Sequence, residues 1–250
     1  MMKISKCTLL TTTFLLSCFT HADFIGLKGD VNYWYFNGSI DNKNNSSLSN
    51  STGNDNLLLD PYAGLSNKND IKHDGAIQAS IAFEHPIPLL PNIKIKYTDL
   101  NTSTNNGQYA SNKVDLTNTD YILYYEILDN IVSADIGLGM ANIDGKIKQY
   151  NALQSFNSSL SDNAPIAYAS VGAKLPFTGL SAKGEVVVGA NSDVTLTDVQ
   201  AELQYDFVQS MLLDVGAKVG YRYMYIDVDE NKTKYKLDFN GPYIGLNAHF

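Results

Sequence analysis

His73 is the residue best placed for acid–base chemistry, because an imidazole titrates near neutral pH and Asp70 and Asp74 stand close to it in the sequence. A serine hydrolase of the common kind would add a Gly-x-Ser-x-Gly motif, and the chain has none. A single histidine beside carboxylates is usually an ordinary loop residue. We therefore predict no catalytic residue and no enzyme, and keep a rim hydrolase centred on His73 as the least favoured of three functions.

One segment resembles part of a calcium site. Asp227, Asp229 and Asn231 alternate as they do at the start of a calcium-binding loop. The rest of that loop is missing, since no glycine stands at its sixth position and Asp238 replaces the final glutamate. We predict a solvated acidic turn here, with no metal and no cofactor.

Charged residues also recur at alternate positions along most of the chain, with uncharged residues between them. A buried charge is costly unless it is paired, so residues of both signs on one face of a set of strands are expected to face a shared interior and hold each other. The candidates for this charge cluster are Lys28, Asp30, Glu84, Lys96, Asp120, Glu126, Lys183, Glu185, Glu202, Asp214, Lys218 and Arg222.

The composition excludes several classes of protein. The chain has 250 residues, with 18 Lys and Arg against 26 Asp and Glu, and Arg222 is its single arginine. No nucleic-acid partner is expected, because phosphate contacts need clustered basic residues. Beyond the N-terminal segment no apolar run is long enough for a transmembrane helix, and 16 Tyr and 10 Phe argue against disorder. Abundant Tyr and Thr instead favour β-structure.

Residues 1–22 have the pattern of a secretory signal peptide. Lys3 and Lys6 give a positive start, 9–19 is an apolar stretch, and Ala22 is a small residue at the expected cleavage site. The pattern predicts export through the Sec pathway and a mature chain of residues 23–250.

Both cysteines, Cys7 and Cys18, lie inside the signal segment, so the mature chain is expected to have no disulfide and no thiolate chemistry. Residues 15–18 also resemble a lipoprotein cleavage box. In that alternative Cys18 would carry lipid instead of being removed.

The mature chain has a hydrophobic period of two in ten segments, which is the period of a β-strand. Tight turns alternate with connections that are mostly longer and polar, as in an outer-membrane barrel with an even strand number. We predict an all-β, ten-stranded antiparallel up-and-down transmembrane β-barrel with both termini periplasmic and a long first extracellular loop at 37–74. The segments are 24–36, 75–85, 92–100, 116–127, 131–143, 165–175, 179–190, 195–207, 211–226 and 238–250.

In each segment, the positions that alternate with the charged residues are occupied by uncharged residues. Lipid contact would exclude charges there, because a charge at the bilayer midplane costs about 2–4 kcal/mol. Aromatic residues on this parity collect at the strand ends and predict two interfacial girdles. The outer girdle would contain Tyr33, Tyr35, Tyr97, Tyr121, Tyr221, Tyr223 and Tyr225, and the inner girdle Phe83, Tyr125, Tyr205, Phe207 and Phe250.

The last segment resembles the C-terminal assembly signal of Gram-negative outer-membrane barrels, through Tyr243, Gly245, Leu246, Ala248 and Phe250. With this signal the mature chain resembles a small gammaproteobacterial outer-membrane β-barrel protein of the broad OmpA/OmpX-like class. The resemblance implies a bacterial outer-membrane location, lipid as a partner and recognition by the barrel-assembly machinery. The omptin proteases resemble the chain in strand count only.

Two non-enzymatic functions follow. Ten strands make a barrel only slightly wider than eight-stranded barrels, whose interiors are filled by side chains. We therefore favour a structural or surface-contact protein with a charge-filled lumen, which would meet a surface partner through loops such as the Asn- and Ser-rich first loop. The alternative is a narrow diffusion channel that prefers cations, because acidic residues are in excess.

Overall fold

The computed structural model is a barrel of ten strands. It describes residues 26–44, 68–87, 89–105, 110–151, 155–210, 212–230 and 233–250, so the predicted signal peptide lies outside the described residues. The strands are β1 (Gly26–Asn44), β2 (Lys68–Glu84), β3 (Asn92–Asn105), β4 (Ala110–Asp129), β5 (Val132–Asn151), β6 (Ser155–Lys174), β7 (Leu180–Ala190), β8 (Val194–Gln209), β9 (Asp214–Glu230) and β10 (Thr233–His249).

Every strand pairs antiparallel with its neighbours in sequence, and β1 pairs with β10 to close the barrel. Two backbone hydrogen bonds join Leu27 and Phe250 at this closure, with N···O distances of 3.0 and 2.9 Å. The predicted ten-stranded up-and-down barrel is confirmed. No helix among the described residues is long and apolar enough to cross a membrane.

The strands extend further than the sequence predicted, mainly at the end opposite the tight turns, which the sequence analysis expects to be extracellular. Strand pairing reaches Asn44 and Lys68, so it occupies both ends of the predicted 37–74 loop, whereas 45–67 lies outside the described residues. β4, β5 and β6 likewise take up most of the connections expected after the third and fifth segments. Backbone pairing needs no apolar side chain, so Asn- and Ser-rich sequence can continue a strand above the membrane.

The outer wall carries an apolar belt. Its side chains include Ile77, Ile81, Leu123, Leu138 and Leu203, which are between 50% and 71% exposed. The predicted girdle residues face outward on the same wall, although Tyr121 lies level with Ile95 within the belt. Since a bilayer solvates apolar side chains and repels charges, this belt is the membrane-spanning part of the wall.

Above the belt the polarity of the two faces inverts while the period of two continues. On β4, Tyr121 and Leu123 face outward within the belt, and Asp120 on the alternate parity is buried in the lumen. Further up the same strand, Leu116 is buried inside and Asp115 is exposed outside. The wall therefore continues beyond the bilayer as a β-structure with an apolar interior, as in a soluble protein.

Strand pairing around the barrel is complete only at the level of the belt. The β2–β3 ladder ends at the pair Ile77↔Asp99, and the β6–β7 ladder ends at Ile166↔Gly189. Above these two points the wall consists of two sheets, β3–β4–β5–β6 and β9–β10–β1–β2. Both seams begin where outward side chains turn polar, because unpaired backbone groups are tolerated in water but not in hydrocarbon.

Candidate functional site

Asp198 is the centre of a fully buried ion-pair cluster in the lumen. Its two carboxylate oxygens accept hydrogen bonds from Arg222 Nε and Nη2, each at 2.9 Å, and Lys96 Nζ lies 2.6 Å from Oδ2. None of the three residues is more than 1% exposed. The planar guanidinium fits the carboxylate in the two-pronged geometry that makes such pairs strong and rigid.

Arg222 also contacts Trp34. The guanidinium carbon lies 4.6 Å from the centre of the indole ring, close enough for a cation–π interaction. The indole nitrogen donates to the carbonyl of Gly241 at 3.1 Å, and Arg222 Nη2 donates to Thr98 at 3.0 Å. Trp34 thus lies at the boundary between the charged part of the lumen and the apolar part above it.

Glu185, on β7 beside β8, extends the Asp198 cluster along the same wall. Lys94 and Lys96 both donate to its carboxylate, the latter at 3.0 Å, and Lys183 Nζ approaches to 3.9 Å. Tyr168 lies beside this group, with its hydroxyl 3.5 Å from Lys94 Nζ. Lysines from β3 are therefore tied to carboxylates from β7 and β8 across the lumen.

Two smaller clusters lie nearer the periplasmic end. In the Lys218 cluster, Lys218 Nζ is 2.6 Å from Asp30 and 3.2 Å from Glu202, which also accepts the hydroxyl of Tyr243 at 2.6 Å. In the Lys28 cluster, Lys28 Nζ is 2.6 Å from Glu84 and 3.7 Å from Glu126, and the Tyr124 hydroxyl donates to Glu84 at 2.7 Å.

Ten residues of the predicted charge cluster belong to these three clusters, whereas Asp120 and Asp214 do not. The Asp120 carboxylate accepts the side-chain amide of Asn118 at 2.9 Å, and Asp214 accepts the backbone N–H of Ser210 at 3.1 Å near the periplasmic end. In the described part of the chain neither forms an ion pair. The predicted list omits Lys94 and Asp198, although the alternation places both on the polar parity of their strands.

The extracellular half of the lumen is apolar, which the sequence analysis did not predict. Fully buried side chains from both sheets fill it, so the expectation of a polar interior applies only at the level of the belt. The signal was present in the sequence as apolar residues on the inward parity of the upper segments. They include Phe36, Ile40, Leu100, Val114, Leu116, Ile143, Leu196, Met224, Ile226, Leu237 and Phe239, each 0% exposed.

The cavities around the clusters are small and polar. A cavity of about 20 Å³ lies within the charged layer, beside Asn32, Gln78 and Lys218, and has room for about one water molecule. A wider vestibule of about 170 Å³ opens at the periplasmic end, where Asp129 and Lys174 contribute to its lining. Neither of these two cavities is lined by the apolar side chains that pack at the opposite end of the lumen.

The other candidate sites are on the outer wall. His73 is exposed, stacks on Tyr35 with ring centres 5.6 Å apart, and donates its backbone N–H to Asn37 at 3.2 Å. Asp227 accepts the Tyr225 hydroxyl and pairs with Lys234, both at 3.2 Å. Among the described residues, no group of three His, Cys, Asp or Glu side chains could hold a metal ion.

The residues of the C-terminal assembly signal all lie on β10 or directly after it. Leu246 and Phe250 face lipid and are 59% and 60% exposed, whereas Tyr243 is buried in the lumen. Gly245 faces Asn32 across the β1–β10 pair, where an added Cβ would lie only 1.9 Å from the Asn32 side-chain oxygen. A glycine is therefore required for the closing strands to approach.

Comparisons with known proteins concern the fold only. No family model matches the chain, and no curated protein matches its sequence. The outer membrane protease OmpT from Escherichia coli is similar in structure at 9% identity, over 90% of this chain and 97% of that one, with a TM-score of 0.47. The translocator domain of the autotransporter NalP from Neisseria meningitidis gives 11% identity, coverage of 96% and 95%, and a TM-score of 0.44. Ail, the attachment invasion locus protein of Yersinia pestis, is similar at 10% identity, over 89% of this chain and 98% of that one, with a TM-score of 0.35.

The architecture itself decides the class. A closed antiparallel barrel with an even strand number, an apolar outer belt, two aromatic girdles and a polar interior at the same level satisfies the physical requirements of a transmembrane β-barrel. The chain has the fold of an outer-membrane β-barrel.

Proposed function

We propose that the chain is a non-enzymatic protein of the bacterial outer membrane whose lumen is closed, and that it acts as a structural anchor presenting a surface for contact outside the cell. The observation that carries this proposal is the double filling of the lumen. Paired charges occupy the level of the membrane, and an apolar core occupies the level above it.

Each layer alone opposes conduction. An ion in transit would have to separate Arg222 from Asp198, and breaking one partner away from a buried pair costs about 3–5 kcal/mol. It would then meet the packed apolar side chains above Trp34, where hydration is lost with no compensating polar contact. The exposed position of His73 on the outer wall also supports a non-enzymatic role, because its ring stacks on Tyr35 and forms no ion pair with a carboxylate among the described residues.

The decisive experiment is single-channel recording of the refolded mature protein in a planar bilayer, after a heat-modifiable gel shift has shown that the barrel is folded. We expect no stepwise openings. The matched comparison is the double variant Trp34→Ala and Phe239→Ala, which empties part of the apolar layer. Because the paired charges below that layer still oppose conduction, this variant should also stay closed, and combining it with Arg222→Ala should admit ions.

Stepwise, cation-selective openings in the unmodified protein, with a selectivity that changes in Glu202→Gln, would overturn the proposal in favour of a narrow channel. If His73→Ala abolished a hydrolytic activity of the purified protein, the non-enzymatic part of the proposal would be wrong.

A further inference from the structure

Among the described residues, two edges of the sheet β3–β4–β5–β6 have no strand partner above the membrane. β3 pairs only with β4 from 100 to 105, and β6 pairs only with β5 from 155 to 165. An uncovered edge exposes a row of backbone donors and acceptors that can pair with another strand. These edges are therefore candidate interaction surfaces.

The register identifies which groups of β6 point to the open side. Leu175 N donates to Leu180 O, toward β7, so alternate residues counted back from Leu175 point their N–H and C=O the same way. Asn163 belongs to this set, and its groups are already used: its N–H donates to the Asp162 carboxylate and its C=O accepts the Asn191 amide. Asn157, Ser159 and Ser161 follow, and no described strand pairs with them on this open side.

The edges of the opposite sheet, on β2 and β9, are protected against pairing with another strand. On β2, His73 has φ 54° beside the register shift between Phe36 and Gly38 of β1, and this irregular backbone breaks the regular edge. On β9, Asp229 N donates to Asp193 O in the β7–β8 turn at 2.8 Å, so this edge is covered. Charges, irregular backbone and covering turns are the usual protection against unwanted strand pairing.

β3 and β6 lack this protection. The exposed side chains of their free edges are small and uncharged, namely Asn101 and Ser103 on β3 and Asn157, Ser159 and Ser161 on β6. The edge proline Pro165 lies at the start of the seam, at the lower end of the free stretch. The two unprotected edges belong to the same sheet and lie at its opposite sides.

We propose that a second copy of this chain occupies these edges, with the β6 edge of one copy paired to the β3 edge of the next. Odd-numbered strands run away from the periplasmic turns and even-numbered strands run back. Copies in one membrane share this orientation, so β3 of one copy is antiparallel to β6 of its neighbour. The contact is heterologous and leaves a free β3 and a free β6 at the ends, so it generates rows rather than closed dimers.

Cysteine crosslinking in the intact outer membrane tests this arrangement, because the predicted mature chain has no cysteine. Differently tagged Ser103→Cys and Ser159→Cys chains are produced together and treated with a short thiol-specific crosslinker. We expect a product containing both tags, and no comparable product when either variant is produced alone. Lys146→Cys, exposed on β5 in the middle of the same sheet, is the matched control and should not crosslink. The chain without added cysteine shows any background from Cys18.

A second variant separates edge pairing from chance proximity. Adding Ser159→Pro to the chain that carries Ser161→Cys removes a free edge N–H while leaving the β5–β6 ladder intact, so the barrel should still show its heat-modifiable gel shift. We expect the yield of crosslink to Ser103→Cys to fall about tenfold, because the proline ring also obstructs the incoming strand. Ser159→Thr in the same chain keeps the donor and should retain the crosslink. A product that persists with proline, equal self-crosslinking of either single variant, or no mixed product at all would overturn the proposal.

Discussion

The membrane-spanning part of the wall and its extracellular extension are made from the same strands but have opposite interiors. Within the belt, Asp120 and Arg222 face inward and Leu123 faces lipid. In the extension, Leu116 and Ile226 face inward and Asp115 faces water. The comparison shows that the medium outside the wall, lipid or water, decides whether the outward or the inward residues are apolar. The alternation of side chains between the two faces is the same in both regions.

The largest expected effect is in the charged layer. Asp198→Ala leaves Arg222 and Lys96 buried without their shared carboxylate, and we expect the free energy of unfolding to fall by about 3–5 kcal/mol. Urea titration in lipid vesicles measures it, with fluorescence of Trp34, the single tryptophan, as the probe. The double variant Asp198→Leu and Arg222→Met should recover much of the loss, and no recovery would contradict a paired-charge origin.

The apolar layer should respond to lost volume instead of lost charge. Leu116→Ala creates a cavity in a fully buried position and should cost about 2–5 kcal/mol, near the middle of that range. Lys113→Ala, exposed on the outside of the same strand, should change stability by less than about 0.5 kcal/mol. Equal effects at the two positions in the same titration would refute a packed extracellular core.

A charge placed on the outer wall locates the boundary between the two regions. Leu123→Arg puts a guanidinium in the belt and should cost about 2–4 kcal/mol near the bilayer midplane. Asp115→Arg, further along the same face of β4, should be nearly neutral because water solvates it. Refolding yield and unfolding free energy in vesicles measure both, and a large cost for Asp115→Arg would move the boundary outward.

The smallest effect is expected at the Lys234–Asp227 pair, which joins β10 to β9 on the outside of the extension at 3.2 Å. Water and salt screen such a pair, so Lys234→Ala should change the unfolding free energy by less than about 0.5 kcal/mol. In titrations at low and high salt, the difference in unfolding free energy between the variant and the parent should disappear at high salt. A difference that persists in high salt would show that the pair is shielded from solvent.

The sequence predicted the ten strands, their order and the lipid-facing parity, because an apolar face with period two is read directly from residues such as Ile93, Ile95 and Tyr97. It missed the upper strands, because Asn- and Ser-rich stretches such as 155–161 resemble loops by composition. The inward Val114 and Leu116 signalled the missing structure, since they continue the same period with inverted polarity.

The individual ion pairs were beyond the reach of the sequence. Parity places Lys96 and Asp198 in the lumen, but the partner of each depends on the stagger of strands that are far apart around the barrel. Lys96 on β3 reaches Asp198 on β8, although neither strand pairs with the other. Only the closed three-dimensional structure determines which residues of distant strands lie at the same height in the lumen.

The β1–β10 pair has a consequence for the order of folding. It joins the first and last strands, and the loop-closure entropy of such a contact is the largest among the described strand pairs. The bond from Trp34 to Gly241 spans 207 positions, and the pair of Asp30 with Lys218 spans 188. Neither can form in a growing hairpin array, so both are acquired when the first and last strands meet. Completion of the cylinder is thereby coupled to a set of buried contacts that no open intermediate has, which makes the last step of assembly strongly cooperative.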